Sequence, residues 1–200
     1  MSDRELIAIL RGISPEESVA IAEALVDAGF SRIEVPLNSP DPLTSIKRMV
    51  DAVGEVALVG AGTVLNTQQV EAVAATGAKL IVSPNTNTQV ISRTRELGLY
   101  SYPGVMTPTE CFAAIDAGAS GLKLFPADLV GTAGVKAFRA VLPPEMNLYA
   151  VGGVATENLG QWRCAGVTGF GIGSSLYKSG KGVDDVRRIA SELVSAYDAL

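Results

Sequence analysis

Six glycines set the rhythm of this chain of 200 residues. Gly29, Gly54, Gly77, Gly98, Gly118 and Gly166 each close a helical pattern just before a short apolar or β-branched run, where a helix C-cap glycine belongs. They recur every 20 to 25 residues, with one double interval in which "VLPPEM" ends the intervening helix. The opposite helix ends are marked as well. Ser14 with Glu17 (and Pro15 at the first helical position), Thr86 with Gln89, and Thr107 with Glu110 have capping-box spacing, and Asn66 with Gln69 is a looser version.

Between these marks lie "LIAIL", "RIEV", "ALVGA", "LIVS", "LYSY", "GLKLF", "LYAVGG" and "TGFGIG", eight short strands, most of them followed by an amphipathic helix. Near-continuous apolar strands alternating with helices imply a parallel sheet covered on both faces. Eight such units over residues 1–200 predict a single-domain (β/α)8 TIM barrel. The rival, a doubly wound open sheet, needs a topological switch point, and no strand order reversal is visible.

Composition excludes several function classes. A net charge of -5 is the wrong sign for a nucleic-acid partner. No apolar run approaches the ~18 residues of a membrane span, and "MSDRELIAILRG" does not read as a signal peptide, so a cytoplasmic protein without membrane partners is expected. Cys111 and Cys164 fall in helical patterns without metal-ligand spacing and read as reduced packing residues. Histidine is absent, which removes every mechanism that uses imidazole as base or ligand.

Against this apolar background, Lys123 in "GLKLF" is anomalous, because burying an ammonium costs several kcal/mol (about 3 or more) unless something compensates. In a barrel the C-terminal strand ends face the catalytic mouth. Those ends carry Arg11 after "LIAIL", Glu34 in "IEVP", Thr63 after "VGAG", and Lys123. Strand alternation turns Glu34 and Lys123 inward while their neighbours pack on helices. Each has a plain alternative: a lysine can snorkel to solvent, Glu34 can pair with Arg32 at the surface, and Arg11 can bind a helix end. Together at one mouth, they point to chemistry. A neutral amine attacks a ketone to form an iminium that stabilises a carbanion on the adjacent carbon. Desolvation and a nearby cation such as Arg11 keep the amine neutral, and Glu34 shuttles protons. This is class I aldolase chemistry, and it calls for no metal and no cofactor.

"AVGGVATENL" and "GFGIGSSLYKSG" end the last two strands. Glycines let backbone N–H groups approach an anion, and the loops after strands seven and eight of a barrel are a frequent phosphate site. Gly152, Gly153, Val154, Gly173 and Ser174 are the candidates. Either glycine pair alone also suits an ordinary tight turn.

"LIAILRGISPEES", "IEVPLNSP", "VGAGTVLN", "SPNTN", "YPGVMTPTE", "LKLFPADLVG", "AVGGVATENL" and "GIGSSLY" resemble, in order from about residue 6 to residue 197, the motifs of the 2-keto-3-deoxy-6-phospho-sugar-acid aldolases. By position, the resemblance implies that Lys123 is the Schiff-base lysine and Glu34 the general acid/base. It places Arg11 and Thr63 on the pyruvate portion, Pro84 and Phe125 around the pocket, and Gly152, Gly153, Val154, Gly173 and Ser174 on the phosphate. A homotrimer is implied, with small-molecule partners: a phosphorylated 2-keto-3-deoxy sugar acid, pyruvate and glyceraldehyde 3-phosphate. "ILRG" and "EVPLNS" are similar to the galactonate branch of the family. The gluconate branch typically carries an arginine at the position of Asn38, and here Arg11 supplies the guanidinium. The implied reaction is reversible cleavage of 2-keto-3-deoxy-6-phosphogalactonate in galactonate catabolism. Activity on the gluconate epimer or on 4-hydroxy-2-oxoglutarate stays open, as does a non-catalytic sugar-phosphate-binding barrel, which would not need both Lys123 and Glu34.

Overall fold

The computed structural model describes residues 4–200; Met1–Asp3, the start of the stretch read for a signal peptide, lie outside the described residues. The chain alternates strand and helix throughout: β1 (Leu6–Ile9), α1 (Pro15–Ala28), β2 (Arg32–Pro36), α2 (Pro42–Val53), β3 (Leu58–Gly62), α3 (Thr67–Ala74), β4 (Leu80–Val82) and α4 (Thr88–Glu96). It continues with β5 (Tyr100–Tyr102), β6 (Gly104–Val105), α5 (Pro108–Asp116), β7 (Leu122–Leu124), α6 (Ala127–Arg139), β8 (Leu148–Val151), a 3-10 turn (Thr156–Asn158), α7 (Leu159–Ala165), β9 (Gly169–Ile172) and α8 (Val183–Asp198). Every pairing is parallel, in the order β5-β4-β3-β2-β1-β9-β8-β7-β6.

The two ends of that ladder, β5 and β6, are separated only by Pro103, so the sheet closes through one stave whose halves serve different neighbours. Tyr100–Tyr102 pairs with β4, and Gly104–Val105 pairs with β7. Proline has no N–H for the ladder, yet its carbonyl still accepts from the Lys123 N–H at 2.9 Å. The expected eight-stave barrel is therefore present as nine strands. "LYSY" covers only the first half of the fifth stave, the second half having been hidden by its proline.

Alternation along the strands sorts side chains into two cores. Ile7, Ile9, Leu80, Val82, Tyr102, Tyr149 and Val151 pack inside the barrel. Leu6, Ala8, Leu10, Ile33, Val35, Leu122, Leu124, Phe170 and Ile172 face the helices. Each fully buried aliphatic of this outer layer contributes about 1.5–3 kcal/mol relative to exposure. The inner space is narrow enough that a Cβ at Gly169 would overlap the Tyr149 ring. Arg32 also points inward, since it lies two residues before Glu34, but it does not pair with that carboxylate. It is held at the closed end of the barrel by Glu5 at 3.2 Å, and Glu5 also accepts a hydrogen bond from the Tyr149 hydroxyl.

The helix boundaries depart from the sequence reading in particular places. Five of the six glycines take a left-handed conformation, but Gly54 is right-handed with φ -61°, because the chain continues in a turn to Ala57 before β3. Thr107 and Glu110 form the full capping box, and Asn66 caps α3 through the Gln69 N–H. The Ser14 side chain makes no cap bond, and Glu17 is instead taken by the Tyr177 hydroxyl. Asn87, not Thr86, caps α4; the Thr86 hydroxyl donates to the Gly104 carbonyl at 2.8 Å. Cys111 is a buried packing residue as expected, whereas Cys164 is exposed on the outer side of α7; both are free thiols. No helix among the described residues is long and apolar enough to cross a membrane.

Candidate active site

Lys123 is the middle residue of β7, with Leu122 and Leu124 turned toward the helices and its own side chain directed into the barrel. Only 7% of it is exposed. Its ammonium nitrogen lies 4.9 Å from the centre of the Phe125 ring, a weak partner for a charge. Glu34, on β2, is 1% exposed, and its Oε2 finds no hydrogen-bond partner among the described residues. Lys123 and Glu34 line the same small void within the barrel, together with Tyr102 and Tyr149.

Burial dominates the ionisation of both groups. It pushes the Lys123 amine below the ordinary lysine range; the Glu34 charge opposes this and the Arg11 cation reinforces it. Burial raises the Glu34 carboxyl, against the attraction of Lys123 and then of Arg11. Both shifts favour the neutral forms, an uncharged amine beside a protonated carboxyl.

Above this pair a cleft of about 700 Å³ opens at the C-terminal ends of β1, β7, β8 and β9. Lys123 reaches both spaces, forming the floor of the cleft and a wall of the void. Arg11, Phe125, Gly152, Gly153, Val154, Gly173 and Ser174 line the cleft, so seven of the expected residues share it with Lys123. Thr63 and Pro84 do not line it; they follow the ends of β3 and β4, the staves facing β8 and β9 across the barrel. Thr63 holds φ 58°, a left-handed conformation that costs a β-branched residue about 1–3 kcal/mol.

The glycine-rich end of the cleft is built from two loops. Gly152 and Gly153 take φ 105° and 69°, which turns the backbone after β8 in a way that L side chains resist. The carbonyl of Gly173 accepts from the N–H groups of Leu176 and Tyr177, forming one helical turn. The N–H groups of Ser174 and Ser175, first-turn donors of that turn, meet no backbone acceptor among the described residues. The Ser175 hydroxyl donates to the Val154 carbonyl at 2.9 Å, joining the two loops. Ser175, Tyr177, Lys178 and Ser179 also line the cleft and were not singled out from the sequence. The only available signal was their place inside "GIGSSLYKSG", directly after the glycines.

The residues lining the cleft include two cations, Arg11 and Lys178, beside the buried Lys123 amine, and no carboxylate, in a chain of net charge -5. The cleft suits a ligand with negative charge at two separated points and an electrophilic carbon between them. Arg11 is exposed at the mouth, and its Nη1 donates to the side-chain oxygen of Asn38 at 2.5 Å.

Comparison with known proteins gives the same direction. The profile of the family described as KDPG and KHG aldolase matches residues 1–191. A 2-dehydro-3-deoxy-6-phosphogalactonate aldolase of Escherichia coli K12 is 50% identical over 192 residues, covering 96% of this chain and 94% of the relative. A KHG/KDPG aldolase of the same organism is 34% identical over 145 residues, covering 72% and 67%. A solved structure described as native KDPGal superposes with a TM-score of 0.97 at 48% identity, covering 100% of this chain and 97% of its own.

Proposed function

This chain belongs to the family of KDPG and KHG aldolases, carbon–carbon lyases of class I that act on small molecules, and we propose that its substrate is 2-keto-3-deoxy-6-phosphogalactonate, cleaved reversibly to pyruvate and D-glyceraldehyde 3-phosphate. The observation that carries this reading is the cleft: two cations, Arg11 and Lys178, and no carboxylate line it around a buried amine that shares a void with a buried carboxyl. The preference for the galactonate epimer rests on the higher identity to the relative named for it. The same reading takes the enzyme to be a cytoplasmic homotrimer, as the family resemblance implies; sedimentation equilibrium tests the trimer.

The uncharged Lys123 amine adds to the C2 ketone and gives a carbinolamine. Glu34, whose burial favours the protonated form, gives its proton to the departing hydroxyl, so that water leaves and an iminium forms. The resulting carboxylate then takes the proton of the C4 hydroxyl. The C3–C4 bond breaks, its electron pair passes into the iminium to give an enamine, and glyceraldehyde 3-phosphate departs. Glu34 returns the proton to C3, and hydrolysis of the iminium frees pyruvate and the amine. Arg11 meets the substrate carboxylate, assisted by Thr63, while Pro84 and Phe125 bound the pocket. Gly152, Gly153, Val154, Gly173 and Ser174 hold the phosphate, whose remote binding energy orients the reacting carbons.

Pyruvate and borohydride should leave one reduced three-carbon adduct, mapped by mass spectrometry to Lys123. Its absence in folded protein ends the mechanism. Cleavage rates on the two C4 epimers and on 4-hydroxy-2-oxoglutarate then rank the substrates.

A further inference from the structure

The mouth of the cleft contains an arrangement that the reaction steps leave unused. Arg11 makes no ion pair among the described residues, although Arg4, Arg32, Arg93, Arg187 and Arg188 all meet carboxylates. Its guanidinium is held by a neutral amide, the Asn38 oxygen, at 2.5 Å. The backbone next to it is fastened by the same loop. The Gly12 N–H donates to the Ser39 hydroxyl oxygen at 3.0 Å, and the Leu37 N–H donates to the Gly62 carbonyl at 2.8 Å. The segment after β2 therefore ties the end of β1 to the end of β3 and aims one side chain at Arg11.

We propose that Asn38 is a positioning residue, whose uncharged oxygen fixes the Arg11 guanidinium at the cleft without neutralising it. The unpaired cation then serves two groups: the carboxylate of the 2-oxo acid and the amine of Lys123. A carboxylate at residue 38 would hold the arginine equally well and cancel its charge. This inference rests on the aldolase reading above. The charged and titratable groups that share the void or the cleft with Lys123 are Glu34 from β2, Arg11 after β1, Tyr102 from β5, Tyr149 from β8, and Tyr177 and Lys178 after β9, with the Phe125 ring beside it. Arg11 lowers the proton affinity of both Lys123 and Glu34. Cancelling its charge therefore moves both titrations upward.

The test compares Asn38→Asp and Asn38→Ala with the unaltered enzyme, following the rate of pyruvate adduct formation under borohydride against pH and pyruvate concentration. Asn38 is exposed, and both variants are expected to fold, checked by circular dichroism. Both should raise the half-saturating pyruvate concentration, on the order of tenfold for one hydrogen bond to a charged group. Only Asn38→Asp should shift the pH profile, and in the alkaline direction. If the unaltered enzyme forms the adduct and the two variants share its profile, the assignment of Asn38 is overturned while the aldolase reading stands. If the unaltered enzyme forms no adduct, both fall.

Discussion

The carboxyl group of Glu34 fills the space above residue 62: a Cβ built on Gly62 would overlap Glu34 Oε2. Two adjacent strands thus supply one position between them, β2 the functional group and β3 the vacancy that admits it.

Replacing Gly62 with alanine should displace that carboxyl from the void shared with Lys123. Loss of a positioned acid–base group costs about 10²–10⁴-fold in rate. We expect kcat for sugar-acid cleavage to fall within that range, with the barrel still folded by circular dichroism. An unchanged kcat would remove Glu34 from the proton-transfer role.

Lys123→Met should abolish the pyruvate adduct and raise stability by about 1 kcal/mol, since it replaces a buried amine, which the unfolded chain holds as a solvated ammonium, with an apolar side chain of similar length. The gain should depend on pH. The Lys123 pKa is depressed in the folded state from its ordinary value of 10.5, so between those two values the unfolded chain binds the extra proton. Stability of the unaltered protein then rises with pH through that window. Thermal melts at increasing pH should show the advantage of Lys123→Met shrinking toward pH 10.5.

Lys178 is exposed and contacts the end of the cleft formed by the two glycine loops. Lys178→Ala should raise KM for the phosphorylated substrate on the order of tenfold, the worth of one charge-assisted hydrogen bond. Pyruvate trapping should proceed at the original rate, because pyruvate has no phosphate. Equal loss in both assays would place Lys178 elsewhere in the mechanism.

The sequence revealed the parts of this site that break a local rule. Lys123 and Glu34 interrupt apolar strands, and paired glycines stand where a strand should simply end. Lys178 breaks no rule, being a charged residue in a polar loop, and it passed unnoticed. Contacts between distant segments were equally silent: Arg11 with Asn38, or Glu5 with Arg32 and Tyr149, depend on strand register rather than on any pattern in the chain. Pro103 was silent for a different reason. A proline reads as the end of a strand, but here it marks the point where one stave changes partners.

The closed end of the barrel offers a control on stability separate from activity. The Tyr149 hydroxyl donates to Glu5, which also meets Arg32 at 3.2 Å, and the Tyr149 ring packs edge-on against Tyr102 with centroids 5.1 Å apart. Burial, reinforced by Tyr102 and by the bond to Glu5, lifts the Tyr149 pKa far above the ordinary phenol range, so the donor keeps its proton across the working range of pH. Tyr149→Phe preserves the ring and its packing but removes the donor. Glu5 retains Arg32, so the loss should be one hydrogen bond to a charged acceptor, about 1.5–3 kcal/mol in urea unfolding. The pyruvate adduct should form at Lys123 at an unchanged rate, because the hydroxyl points to Glu5 at the end opposite the cleft. A large fall in adduct formation, with stability preserved, would instead tie the tyrosine pair to the ionisation of Lys123.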